Sequence, residues 1–339
     1  MATSQPVLDL TGGAVEVRPT KPFANTKVWT RSSLEPAAWT VKVGDAAKRE
    51  LNDAIANLRR QNLPTYMLDP ADFKLDACRT MMAEAKSMLE DRHGFTIIDR
   101  LPLDEGGWSE EEAKSGFWLL GSLLSQPVAQ TSGGQIFRDI RDEGIPAGTP
   151  GVDTALTQER LAFHQDNSGN RNMPNYTGLM ALYAAKEGGL SEYCSLYSLY
   201  NAMVEEAPEQ LERLFQPFYH DRQGIQAPGE ADVLWAPAIS YENGRLRGRF
   251  SLNKIPGGYR KAGKELDNLS RDALESVLAV IRKRDLSAKY LLERGQILIF
   301  NNREGLHHRE PFKDGEGRTE KRHVIRLWFR NEGRPFFDG

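Results

Sequence analysis

The stretch that most constrains this chain is Leu161-Ala162-Phe163-His164-Gln165-Asp166-Asn167, a short apolar run ending in His-x-Asp. In an extended strand, side chains two apart project to the same side. His164 and Asp166 therefore leave one face together, an imidazole beside a carboxylate. A second imidazole from elsewhere would place two histidines and a carboxylate on one side of a metal, a set that leaves coordination positions open and suits a non-haem ferrous centre. Alone the pattern is weak. With six histidines in the chain, a hydrogen-bonded core histidine on a strand is the plainer alternative.

Composition narrows the choice of ligands. Only two cysteines, Cys78 and Cys194, occur in 339 residues, so no disulfide framework or thiolate cluster is expected and any metal must draw on histidine and carboxylate. A reducing cytoplasm is the simplest compartment. The formal net charge is -3, and nothing in that balance builds the basic face a nucleic acid or an anionic membrane requires. No run approaches the roughly 18 apolar residues of a membrane helix. The start, Met1-Ala-Thr-Ser-Gln-Pro, has no basic region and no long apolar region, so no signal peptide is expected.

Along the chain, helices come first and short strands follow. Residues 1–45 read as an irregular arm with one or two short strands. Leu51, Ile55 and Leu58 recur at helical spacing over 46–61, and Met81, Ala85 and Met88 over 78–91. Residues 94–99 are β-branched and short, a strand. Ser109 with Glu112 fits a capping box ahead of a third helix. Gln135–Arg141 alternates, residues 144–158 form a Gly/Pro loop, and 177–183 is a buried strand. Helices are expected at 196–206, from Pro208 and at 268–284. Residues 233–253 hold two strands joined at Glu242-Asn243-Gly244, since Asn-Gly is a strong hairpin signal. Strands at 297–300 and 323–330 close the series. This order suits an antiparallel jelly roll with helices packed on it. We expect an N-terminal arm and helices over 1–93 and a core over 94–339, one structural domain overall.

Two further pieces carry chemistry. The first is Arg294-Gly-Gln-Ile-Leu-Ile-Phe-Asn-Asn-Arg303-Glu-Gly-Leu-His307-His308-Arg309, a turn and an apolar strand that lead to a histidine pair. Its bland alternative is a hairpin tip with exposed histidines. The second is Lys321-Arg322-His323-Val324-Ile325-Arg326-Leu327-Trp328-Phe329-Arg330. With period two, one face holds Arg322, Val324, Arg326 and Trp328 and the other His323, Ile325, Leu327 and Phe329. Both faces are largely apolar, so both are covered, and two guanidinium groups are then buried. That is costly unless each is paired or receives an anion, and arginine's planar fork suits a carboxylate. Structural salt bridges would satisfy the same demand.

Taken together and in this order, the three pieces resemble the taurine dioxygenase and clavaminate synthase-like superfamily, Fe(II)- and 2-oxoglutarate-dependent oxygenases. The resemblance covers about Gly94 to Arg330. It rests on His-x-Asp, the Gly188-Gly189-Leu190-Ser191 turn, a distal histidine after Asn301-Asn302-Arg303-Glu304-Gly305-Leu306, and an arginine some 15 positions later. It implies a double-stranded β-helix (jelly roll, cupin-like) core with flanking helices.

The same resemblance implies roles. His164, Asp166 and His307 would bind Fe(II), with His308 as the alternative third ligand. Arg322 and Ser191 would hold the distal carboxylate of 2-oxoglutarate, and Arg326 would face an acidic group of the substrate. Gln130 and Phe163 are candidates to line the substrate cavity, although packing explains both, and Trp328, equally well. The chemistry implied is oxidation of a C–H bond by O2, with 2-oxoglutarate converted to succinate and carbon dioxide. Asp166 fills the position where halogenases of the superfamily place chloride, so oxygenation is expected, with desaturation, cyclisation and cleavage open. The expected partner is a small, acid-bearing metabolite, and a homo-oligomer is left open. A non-catalytic binding protein on the same fold and an oxygenase of protein residues are the rival readings.

Overall fold

The computed structural model describes residues 7–12, 17–61, 63–146 and 154–337. The first six residues and the middle of the 144–158 loop lie outside the described residues.

The apolar run Ile297–Asn301 lies inside a seven-stranded sheet. Its side chains alternate between two different cores, as a pleated strand requires. Ile297 and Ile299 join the core formed with the N-terminal helices, whereas Leu298 and Phe300 join the core on the opposite face. Phe95–Asp99 pairs on one side and Tyr176–Tyr183 on the other. Tyr176–Tyr183 pairs in turn with His323–Arg330, whose far edge is shared by Gln126–Val128 and Arg138–Ile140. Thr40–Lys42 closes the other end and is parallel to its neighbour.

Helices Asp45–Gln61, Asp76–Asp91 and Glu110–Leu124 cover the outer face of this sheet. The third begins at the expected capping box, with Ser109 N donating to Glu112 at 2.7 Å and Glu112 N to Ser109 Oγ at 3.2 Å. The final strand obeys the period-two pattern. Ile325, Leu327 and Phe329 pack under these helices, and Val324 faces the inner core.

A four-stranded sheet runs in the order Ser287–Tyr290, Ser191–Ser195, Gly305–Arg309, Leu161–His164. Tyr193, Ala288 and Tyr290 share the inner core with Phe95, Phe300 and Val324 of the larger sheet. The back of the small sheet is covered by the helices from Leu196 to Leu214 and the helix Asn268–Lys283.

Several strands are not apparent from pattern. Gly305–Arg309, Ser191–Ser195 and Ser287–Tyr290 are strands built largely from glycine, serine, histidine and charged residues, which carry little β preference. Burial and cross-strand pairing decide there. The histidine pair is therefore not at a hairpin tip but inside a fully buried strand. Residues 233–253 hold three strands rather than two, of which Ile239–Glu242 and Arg245–Gly248 form the Asn243-Gly244 hairpin. The expected strand over 135–141 is limited to Arg138–Ile140.

Candidate active site

The His164 strand ends at His164 itself, so Asp166 is not positioned by strand geometry. The backbone turns after the histidine and is held from both sides. Gln165 N donates to Phe250 O at 3.0 Å and Phe250 N to Gln165 Oε1 at 2.8 Å. Asn302 brackets Asp166: Asp166 N donates to Asn302 Oδ1 at 2.8 Å, and Asn302 Nδ2 donates to Asp166 O at 3.0 Å. The Asn301-Asn302 pair was visible in the sequence; this role was not.

His307 reaches the site through sheet pairing. It is the direct partner of His164 on the neighbouring antiparallel strand, a relation that brings opposed Cβ atoms to about 5 Å. The ring centroids are 4.1 Å apart. The register then shifts between His307 and Arg309, an irregularity of the kind that re-aims side chains beside active sites. Asp166 Oδ1 lies 3.6 Å from His164 Nε2 and 3.8 Å from His307 Nε2. One ligand atom from each of the three residues falls within 4.8 Å of the others, and no other such group of metal-binding side chains occurs among the described residues. Two imidazoles and one carboxylate with an open side fit ferrous iron.

The surroundings prepare each ligand. His164 Nδ1 lies 2.8 Å from Ala162 O. A carbonyl only accepts, so Nδ1 carries the proton and Nε2 is left with its lone pair for a metal. Burial, and then the neighbouring His164, push His307 well below the ordinary imidazole range, which keeps it neutral and able to ligate. Burial opposes ionisation of Asp166, but the Arg326 guanidinium and the two histidines outweigh it and hold the carboxyl well below its usual range. Asp166 Oδ2 accepts from Trp328 Nε1 at 2.9 Å and Thr177 Oγ1 at 3.1 Å. Arg326 Nη1 donates to Oδ1 at 3.1 Å. The carboxylate is thus clamped with one oxygen turned toward the histidines.

His308 faces the other side of its strand. It stacks on Phe163 at 5.0 Å, and its Nδ1 is 3.4 Å from Glu192 Oε1. Burial pushes it down to about 4 despite Glu192. It stands outside the three-residue group.

Two cavities border the triad and share His164, Asp166 and Arg326 on their walls. The smaller runs between the sheets and is lined by Ser191, Tyr290, Arg309 and Arg322. Arg322 is buried, and its Nη1 has no hydrogen-bond partner among the described residues. Burial and the adjacent Arg309 lower it to about 9, with Asp314 opposing. Arg322, with its orphan donor beside the Arg309 guanidinium, which donates to Ala155 O and Thr157 O, fits an anion such as the distal carboxylate of 2-oxoglutarate. Gly188 and Gly189, at φ +74° and +76°, let the chain turn against the Arg322 strand. A Cβ on Gly188 would stand 2.5 Å from Pro311 O, and one on Gly189 already 3.6 Å from Arg322 Cδ.

The larger cavity, about 290 Å³, is bordered by Gln130, Phe163 and Trp328, and its outer wall carries Arg138, Lys254 and Arg260. Gln130 Oε1 accepts from Arg326 Nε at 2.8 Å, and Gln130 Nε2 donates to Arg326 O at 2.9 Å. Phe163 borders this cavity while its ring stacks on His308 among the helix core. Arg326 is tied to Asp166 and Gln130, a link to the metal ligands that its expected role at the substrate did not include. Thr177, Tyr290 and Arg309 also belong to the site but carry no motif. Their only signal is the sheet register, which the sequence does not display.

With this site on a two-sheet frame, the family follows. The model for the taurine catabolism dioxygenase TauD, TfdA family matches residues 62–328, and the chain belongs to that family. It is an Fe(II)- and 2-oxoglutarate-dependent dioxygenase. The match begins at residue 62, inside the arm that the sequence motifs had left out.

The chain is similar to FR-33289 synthase of Streptomyces rubellomurinus, 28% identical over 322 residues with 93% of each chain covered. It also resembles a taurine hydroxylase-like protein of Stachybotrys chartarum, 24% identical over 304 residues, which cover 85% of this chain and 74% of the other. Its fold matches asparagine oxygenase in complex with Fe(II), 3-hydroxyasparagine and succinate, with a TM-score of 0.63 at 15% identity over 86% of this chain and 94% of that one. The non-heme iron oxygenase OrfP in complex with Fe and alpha-ketoglutaric acid matches with a TM-score of 0.63 at 16% identity and the same coverage. Among the described residues no helix is long and apolar enough to cross a membrane.

Proposed function

We propose that the protein hydroxylates, or otherwise oxidises, an unactivated C–H bond of a small acid-bearing metabolite. The observation that carries this reading is the convergence of two chemically different cavities on one His-Asp-His group. Iron held by His164, Asp166 and His307 supplies dioxygen activation, coupled to oxidative decarboxylation of 2-oxoglutarate to succinate and carbon dioxide. The chain's own part is positional. Arg322 and Ser191 receive the distal carboxylate of 2-oxoglutarate in the smaller cavity. Trp328, Thr177 and Asn302 fix Asp166. The substrate enters the larger cavity, where Gln130, Arg326 and Trp328 form the inner wall, and the Phe163 ring, packed behind the sheet on His308, supports His164 rather than touching the substrate. The exposed Arg260 on the wall of this cavity favours an anionic group near the mouth.

We read the two sheets as a double-stranded β-helix, with the described residues of the 1–93 segment packed on those of the 94–339 core as one structural domain. We assign the protein to a reducing, cytoplasmic setting on the strength of two buried, unpaired thiols. Asp166 in the carboxylate position favours oxygen insertion over halogenation.

The test is succinate release by the iron-loaded protein across amino acids, sulfonates, phosphonates and other small acids, with peptides as the contrast. A small acid that raises succinate release and gains one oxygen atom from labelled dioxygen supports the reading. Stimulation by peptides alone, or a chlorinated main product when chloride is present, refutes it.

A further inference from the structure

We infer that the Tyr290 hydroxyl is a further donor to the distal carboxylate of 2-oxoglutarate, beside Arg322 and Ser191. This rests on the reading of the smaller cavity as the cosubstrate chamber. The register supplies the geometry. Tyr290 is the direct partner of Ser191, and Ser191 is the direct partner of Arg309 on the next strand. Residues opposed in this way point to the same face of a sheet. Tyr290, Ser191 and Arg309 therefore form one transverse row, and the same cavity holds Arg322 of the facing sheet.

The tyrosine ring is fixed by packing. It stacks on Phe95 at 5.9 Å, with 19° between the planes, and lies 5.9 Å from Trp39. Its hydroxyl is buried and has no hydrogen-bond partner among the described residues. Buried tyrosines ordinarily find a partner for the O–H. A phenylalanine would fill the same space without leaving a polar group unmet, so the hydroxyl calls for an acceptor that arrives with a ligand. The nearby Glu192 carboxylate does not serve, because it accepts from Ser287 Oγ at 2.6 Å and lies on the other face of its strand, beside His308. Burial drives the phenol well above its usual range, so it stays protonated and donates. A neutral O–H beside two guanidinium groups recognises a carboxylate at a fixed depth, and so selects the five-carbon diacid over shorter 2-oxo acids.

Tyr290→Phe removes the hydroxyl and keeps the ring. Fe(II)-loaded wild type and variant are titrated without oxygen, following the visible charge-transfer band, first with 2-oxoglutarate and then with 2-oxobutyrate, which lacks the distal carboxylate. The inference predicts that the variant binds 2-oxoglutarate about tenfold more weakly and 2-oxobutyrate as wild type does, with an unchanged melting midpoint in the absence of ligand. Unchanged affinity for 2-oxoglutarate, or equal weakening for both acids, overturns it. If the wild type itself binds 2-oxobutyrate as tightly as 2-oxoglutarate, the chamber assignment fails, and this inference with it.

Discussion

The two cavities that meet at the triad are made of different material. The smaller is built on strands. Ser191, Tyr290 and Arg309 come from three neighbouring strands of one sheet, and Arg322 sits at the foot of the last strand of the other. The larger adds to its strand-borne inner residues a set of connecting segments, around Gln130, Asn167, Gln223 and Asn253, together with Arg260 of a short helix. Ser191 and Arg309 lie on inner strands paired on both sides, and Tyr290, on the edge strand, is fixed by ring packing on Phe95 and Trp39. Side chains on loops can be exchanged without disturbing the sheets, and loops positioned by a rigid scaffold commonly carry selectivity. On the reading proposed above, 2-oxoglutarate meets the strand-built cavity and the substrate meets the one that loops complete.

This contrast can be broken at its centre first. Alanine at His164, Asp166 or His307 abolishes stoichiometric iron binding and turnover, measured by metal analysis and succinate release. His308→Ala keeps the iron, because His308 packs on Phe163 and Glu192 behind the sheet. Loss of iron in His308→Ala with retention in His307→Ala would reverse the assignment.

Next in size is the rigid cavity. Arg322→Lys keeps the charge but loses the fork, and the loss of one charge-assisted contact weakens 2-oxoglutarate binding about ten- to a hundredfold. Substrate affinity stays as it was. An equal loss for both reactants would mean that the two cavities are one site.

The clamp on Asp166 gives a smaller effect. Thr177→Val is nearly isosteric and removes the donor 3.1 Å from Oδ2. Iron affinity falls about tenfold, a usual result for an outer partner of a metal ligand. Arg326→Lys sharpens the comparison. Because Arg326 touches both Asp166 and Gln130, the change weakens iron binding as well as substrate turnover. A pure substrate arm would alter turnover of the substrate alone.

The smallest effect lies at the rim. Arg260→Gln raises the Michaelis constant of an anionic substrate about two- to fourfold at low salt, since exposed charges contribute little. The difference fades at high ionic strength. A neutral substrate shows no change.

The same contrast separates what could be read from the sequence from what could not. His164 and Asp166 were visible as a local spacing, whereas His307 came only through the family resemblance, because nothing local separates it from an exposed histidine at a hairpin tip. Arg322 and Arg326 stood out because a strand apolar on both faces leaves a guanidinium with nowhere solvated to go. Tyr290, Thr177 and Arg309 were not visible, because their place depends on which strands pair and in what register. Even the geometry inferred for His164 and Asp166 holds for a different reason. The strand stops at His164, and the Asn302 side chain, 136 positions further on, sets the carboxylate beside the imidazole. The larger cavity was the least legible, since the segments that complete its wall around Asn167, Gln223 and Asn253 are loops without periodicity.

The central claim, that the two reactants occupy separate cavities joined at the iron ligands, is tested most directly by one anaerobic titration. Fe(II)-loaded wild type, Arg322→Lys and Arg260→Gln are each titrated with 2-oxoglutarate, following the charge-transfer band. Wild type and Arg260→Gln are expected to saturate together, while Arg322→Lys requires about ten to a hundred times more 2-oxoglutarate. No band in the wild type, or a loss in Arg260→Gln as large as in Arg322→Lys, would contradict it.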